Sequence, residues 1–149
     1  YGPRDNTNPE TSHVIPALIK KVHDRVTGKE TSPLTVWGTG NATREFLYVE
    51  DAARAIVLAT QNYEGHDPIN ISSGMEISIR DLVTEICTAL NYRGDIVWDT
   101  TKPDGQPRRS IDINRAEKEV GFTARVSFTE GLRKTIDWYT TTHDHLSEV

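Results

Sequence analysis

Leu34-Thr-Val-Trp-Gly-Thr-Gly-Asn-Ala-Thr-Arg-Glu-Phe-Leu-Tyr-Val49 is the stretch on which the fold turns. It reads as two short strands, Leu34–Trp37 and Glu45–Val49, with a Gly38-Thr39-Gly40-Asn41 loop between them. Asp51 then starts a helix over Ala52 to Gln61, carrying Ala52, Ala53, Ile56 and Val57. Upstream, Val14, Ile15, Leu18, Ile19, Val22 and Val26 recur at helical spacing. Thr11 or Ser12 is the expected N-cap of that helix and Gly28 its stop. Pro16 falls in the first turn, where a missing N–H costs little.

Downstream, Ile69–Ile71 reads as a strand. Ser78 and Asp81 then form a capping box before the stripe Ile79, Leu82, Val83, Ile86 and Leu90. Ile96–Trp98 is another expected strand and Thr100–Pro107 a polar loop. Asn114–Val120 reads as a short helix ending at Gly121, and Ser127 with Glu130 caps a last one. Strands alternating with helices make the chain α/β, with few short strands and about five helices.

The 149 residues are 36% apolar and 26% charged, with a net charge of −5, and amount to one domain able to bury a core. Net acidity excludes general nucleic-acid binding. No apolar run approaches the roughly 20 residues needed to cross a bilayer, so no membrane partner is expected. The single Cys87 cannot form an intrachain disulfide, which fits a reducing, cytoplasmic setting. The chain opens at Tyr1-Gly2-Pro3 without an initiator Met, and a segment of a longer protein is expected.

Three polar segments carry candidate chemistry. His13 opens the first helix, and histidine is the side chain that exchanges a proton near neutrality, so an acid or base role competes with simple packing or capping. Trp37 through Arg44 offers an indole for a base and a guanidinium for a diphosphate, with an ordinary hairpin as the alternative. It is no dinucleotide fingerprint, because Thr43 stands where a third glycine belongs. Lys102-Pro103-Asp104-Gly105-Gln106-Pro107-Arg108-Arg109 is a rigid loop with three cations and a carboxylate, either a phosphate and sugar clamp or a solvated turn. His143 and His145 lack further ligands, so no metal is expected, and Cys87, Trp98 and Trp138 read as packing.

Taken together, Tyr-Gly-Pro-x-Asp-Asn at 1–6, Ser-His-Val-Ile-Pro-Ala-Leu-Ile at 12–19, Val-Trp-Gly-x-Gly at 36–40, Arg-Glu-Phe-Leu-Tyr-Val at 44–49 and Lys-Pro-Asp-Gly at 102–105 resemble the GDP-L-fucose synthases. These belong to the NAD-dependent epimerase/dehydratase family of extended short-chain dehydrogenases/reductases. The Trp-Gly-x-Gly to Arg-Glu-Phe block is common among nucleotide-sugar epimerases; the Ser-His-Val-Ile-Pro segment is particular to fucose synthases. The resemblance implies NADPH-dependent epimerisation and reduction of GDP-4-keto-6-deoxy-mannose to GDP-L-fucose. It makes His13 an acid in epimerisation, close to the nicotinamide. It puts Lys21, Trp37, Arg44, Asp104 and Arg109 along the GDP-sugar site, with Arg108 as a neighbouring candidate.

The family's Tyr-x-x-x-Lys is not in this sequence: the residues four after Tyr1, Tyr48, Tyr63, Tyr92 and Tyr139 are Asp5, Ala52, Asp67, Ile96 and His143. No position matches the epimerisation cysteine either. The resemblance therefore implies that residues 1–149 are a C-terminal substrate-binding (GDP-sugar) domain whose N-terminal NADP-binding Rossmann half is absent. Such a segment is expected to be inactive and to bind NADP(H) weakly alone. The family's homodimer helices also lie upstream, which leaves dimerisation of this segment open. The competing readings are a fragment of another nucleotide-sugar epimerase, dehydratase or reductase, and a non-catalytic sugar-nucleotide binding module.

Overall fold

A computed structural model describes residues 1–144. The elements run α1 (Val14–Val26), β1 (Leu34–Trp37), β2 (Thr43–Glu45), α2 (Val49–Asn62), β3 (Glu76–Ser78), α3 (Ile79–Ala89), β4 (Ile96–Asp99), β5 (Arg108–Arg109), a wide helical turn at Ala116–Val120, and α4 (Phe128–Asp144). Two small sheets organise them. In one, β1 and β4 pair in parallel, Leu34 opposite Ile96 and Trp37 opposite Asp99. In the other, β2 is central: β3 runs antiparallel on one side and β5 parallel on the other, in the order β3-β2-β5.

The apolar stripes of three helices converge. Ile15, Leu18, Ile19 and Val22 of α1, Leu82, Val83, Ile86 and Cys87 of α3, and Leu132, Ile136 and Tyr139 of α4 close over Leu34 and Val36 of β1. A second, smaller cluster joins Ala55 of α2 to Ala116, Val120 and Phe122. Burying an aliphatic side chain contributes about 1.5–3 kcal/mol, so the first cluster carries most of the stability.

Several boundaries differ from the sequence expectation, each for a local reason. Helix α1 starts at Val14 with His13 as N-cap, not Thr11 or Ser12. The Ser12 N–H is already taken by the Asn8 carbonyl at 2.8 Å, in a turn that also binds Glu10 N–H to Asn8 Oδ1, so the helix opens one residue later. The expected strand Glu45–Val49 shifts to Thr43–Glu45. Val49 instead becomes the first residue of α2, where Glu50 and Asp51 favour a helix N-terminus and the Val49 N–H donates to Tyr1 O. Ile69 and Ile71 form no strand; they pack half-buried on the Phe122 cluster. The hairpin alternative fails too, since β1 and β2 belong to different sheets. Ser78 does cap α3, its Oγ accepting the Asp81 N–H at 3.0 Å.

Candidate functional site

A cavity of about 660 Å³ opens between α1, the end of β1, β2 and the loop after β4. The loop between β1 and β2, beside the cavity, needs two glycines. Gly38 and Gly40 both have φ near +80°, a conformation that L side chains rarely take. A Cβ on Gly38 would run into Asp104 Oδ1, and one on Gly40 would stand 2.5 Å from the Trp98 ring. A glycine at 38 therefore lets the 100–107 strap close over the loop, and one at 40 lets the Trp98 ring of β4 lie against it. Asp104 fastens it: Oδ1 accepts the Thr39 N–H at 2.6 Å and Oδ2 accepts the Thr39 hydroxyl at 2.7 Å. Those bonds, the hydroxyl first, hold the Asp104 carboxyl below the usual aspartate range.

Six of the seven sequence candidates line this cavity: His13, Lys21, Trp37, Arg44, Asp104 and Arg109. His13 sits at the start of α1 and its side chain makes no capping bond, leaving the ring free for a ligand. Lys21 follows two turns later, about 12 Å along the axis, with its ammonium 3.4 Å from Thr35 O. Burial first, and Arg25 second, lower the Lys21 pKa. Trp37 ends β1 with 65% of its surface exposed and Lys102 over its ring at 5.8 Å. An indole that bare beside a cavity is a stacking platform. Arg44 is braced by its own strand and by the strap, donating from Nη1 to Thr43 O and Gln106 O, both at 2.7 Å.

Arg108 does not join them. Side chains alternate faces along a strand, and β5 pairs Arg44 with Arg109 and Thr43 with Arg108. Arg109 thus shares the cavity face with Arg44, while Arg108 turns behind the sheet. There it forms a two-pronged pair with Glu76, Nε at 3.0 Å and Nη2 at 2.9 Å from Oε2. The sequence reading also missed Asp5, Glu45 and Phe46, which contribute to the cavity wall. The period-2 rule applied to Arg44-Glu45 and Arg108-Arg109 is the signal that separates front from back, once the strand limits are known.

Among the described residues no group of His, Cys, Asp and Glu could hold a metal ion. His143 stacks on Tyr139 with ring centres 4.0 Å apart; His145 lies outside the described residues. Cys87 is buried in α3, and burial pushes its thiol up. No described helix is long and apolar enough to cross a membrane. The glycine loop after β1 leads into strand β2 instead of a helix N-terminus, so the phosphate cradle of a nucleotide-binding turn is not formed here.

Residues 1–72 match the NAD dependent epimerase/dehydratase family. Along nearly its whole length the chain is similar to GDP-L-fucose synthases, and the resemblance read from its motifs holds. It is 44% identical over 140 residues to GDP-L-fucose synthase 1 of Arabidopsis thaliana, covering 93% of this chain and 42% of the plant enzyme. It is 37% identical to the GDP-L-fucose synthase of Escherichia coli K12, covering 97% of this chain and 47% of that enzyme. A GDP-L-fucose synthetase from Naegleria fowleri bound to NADP superposes with a TM-score of 0.88 at 30% identity, across 97% of this chain and 45% of that one. The chain thus spans less than half the length of these relatives.

Proposed function

We propose that this chain is the sugar-nucleotide-binding part of a cytoplasmic GDP-L-fucose synthase, whose NADP-binding Rossmann half is supplied by residues outside it. The convergence of His13, Lys21, Trp37, Arg44, Asp104 and Arg109 on one cavity is the observation that carries this reading. Trp37 stacks on the guanine, while Arg44 and Arg109, side by side on one face of a strand pair, hold the diphosphate. The strap closed by Asp104 shields the sugar. NADPH, when bound by the remainder of the protein, supplies the hydride.

His13 handles a proton. Inversion at the two carbons flanking the 4-ketone requires a proton to leave one face of the sugar and another to arrive on the opposite face. A histidine at a helix N-terminus is fixed in position by the backbone and keeps its ring free, which suits it to return that proton. In the full-length protein, His13→Gln is expected to slow solvent deuterium incorporation into the 4-keto sugar while a pre-epimerised ketone is still reduced. Unchanged exchange would reduce His13 to a wall residue. The 149-residue chain alone is expected to oxidise no NADPH with the 4-keto sugar nucleotide above a no-protein control; turnover there would defeat the division into two halves.

A further inference from the structure

The two-residue strand β5 has little to hold it. Thr100 to Asp112 are all exposed, and one backbone bond, Thr43 N–H to Pro107 O at 2.9 Å, leads into the pairing. Arg109 must nevertheless stand next to Arg44, strand neighbours being about 4.8 Å apart, and two guanidinium groups on one face repel. By strand alternation the side chains of Glu45 and Glu76, paired across β2 and β3, project from the face opposite Arg44 and Arg109, although Glu45 also borders the cavity. Glu76 takes the paired bonds from Arg108 and a hydroxyl bond from Thr43. Glu45 Oε1 accepts the Ser110 hydroxyl at 2.6 Å and the Ile111 N–H at 3.2 Å, and its Oε2 accepts the Ser72 hydroxyl.

The chain is therefore gripped at 108 by one carboxylate and at 110–111 by the other, with Arg109 between them facing forward. We propose that Glu45 and Glu76 are positioning residues that clasp β5 from behind and present Arg109 to the anionic part of the ligand. Glu76 is not part of the cavity wall, and the Glu45 carboxylate is taken up by Ser72, Ser110 and Ile111, so neither has to touch the ligand. Their negative charge, placed behind Arg44 and Arg109, also offsets the repulsion between the two cations. The bonding pattern supports ionised groups at neutral pH. Burial alone would raise the Glu45 carboxyl, yet the bonds from Ser110, Ser72 and Ile111 leave it below the ordinary range; Arg108, then Thr43, lowers that of Glu76.

The clasp deepens the proposed GDP-sugar site and rests on that reading for its ligand, so its test has one arm that needs no ligand. Trypsin cuts after arginine, and Arg108 and Arg109 are its reporters on the strap. Glu45→Gln combined with Glu76→Gln is expected to speed cleavage after Arg108 and Arg109 about tenfold at an unchanged melting temperature, because each lost charged contact is worth a few-fold. Arg108→Gln, which leaves Arg109 as the reporter, is expected to reproduce the Glu76→Gln share of that effect at Arg109. In the second arm, GDP is titrated calorimetrically. Arg109→Ala should weaken binding in the wild-type background and change little once both glutamates are glutamine. Cleavage at the wild-type rate, or an equal Arg109→Ala penalty in both backgrounds, would overturn the clasp. Failure of the wild-type chain to take up GDP would count against the proposed site instead, with the cleavage rates still deciding the clasp.

Discussion

On one side of the cavity, His13 and Lys21 ride on α1, a helix whose inner face buries Ile15, Leu18, Ile19 and Val22. On the other side, Asp104 and Arg109 lie in a stretch, Thr100 to Asp112, in which every residue is exposed. The first wall is placed by packing, a non-directional force that scales with buried area. The second is placed by individual hydrogen bonds and ion pairs: Asp104 to Thr39, Gln106 to Arg44, Arg108 to Glu76, Ser110 to Glu45. Proton and cation chemistry can thus be mounted rigidly on the helix side, while the side that must admit and enclose a ligand is fastened by contacts that charge and pH can release.

That contrast can be broken from its packed side first. Leu82 is fully buried in the cluster that α1, α3 and α4 share, so Leu82→Ala is expected to cost about 2–5 kcal/mol in urea unfolding and to take both walls with it. A loss under about 1 kcal/mol would mean that the helices are not the frame. A smaller and more local effect is expected at Arg44, which joins the walls through Gln106. Arg44→Ala should remove about 1.5–3 kcal/mol of GDP affinity while leaving unfolding nearly unchanged.

Acid should separate the walls. The carboxyls of Asp104, Glu76 and Glu45 all titrate lower in the folded chain than in the unfolded one. Their contribution is complete above the unfolded values, near pH 4–5, and is lost as pH falls through the lower folded values. Amide protection factors at Thr39 and Ile111 are therefore expected to drop below about pH 4 while that of Val22, deep in α1, persists. A parallel loss at all three amides would contradict the distinction. The smallest effect is expected for Arg133→Ala, which removes an exposed pair with Asp137 remote from both walls and should change stability by less than about 0.5 kcal/mol.

The packed wall was the more legible in the sequence. Six apolar residues at helical spacing define α1, and Leu34–Trp37 has the limits that its composition predicts. The tethered wall leaves no such pattern. Glu76–Ser78 and Arg108–Arg109 are too short and too polar to show alternation, and their strand character comes from pairing with β2, a contact between residues more than thirty positions apart. For the same reason Arg108 and Arg109 look equivalent in the sequence and face opposite ways in the fold. Glu76 belongs to no motif, and Glu45 stands inside the Arg-Glu-Phe block with no role read for it; only the pairing of β2 with β3 makes them partners. Val49 shows the reverse error, a β-branched residue in an apolar run that nonetheless opens a helix once Tyr1 accepts its N–H.

The most direct test of the account is calorimetric titration of the 149-residue chain with GDP, UDP and dTDP, repeated with Arg44→Ala. The account predicts saturable binding of one nucleotide per chain, tightest for GDP, and weakened about tenfold or more by Arg44→Ala. Equal affinity for the three nucleotides would point to another nucleotide-sugar enzyme. Binding indifferent to Arg44, or no binding by a chain that remains folded, would contradict the assignment of this cavity to a GDP-sugar.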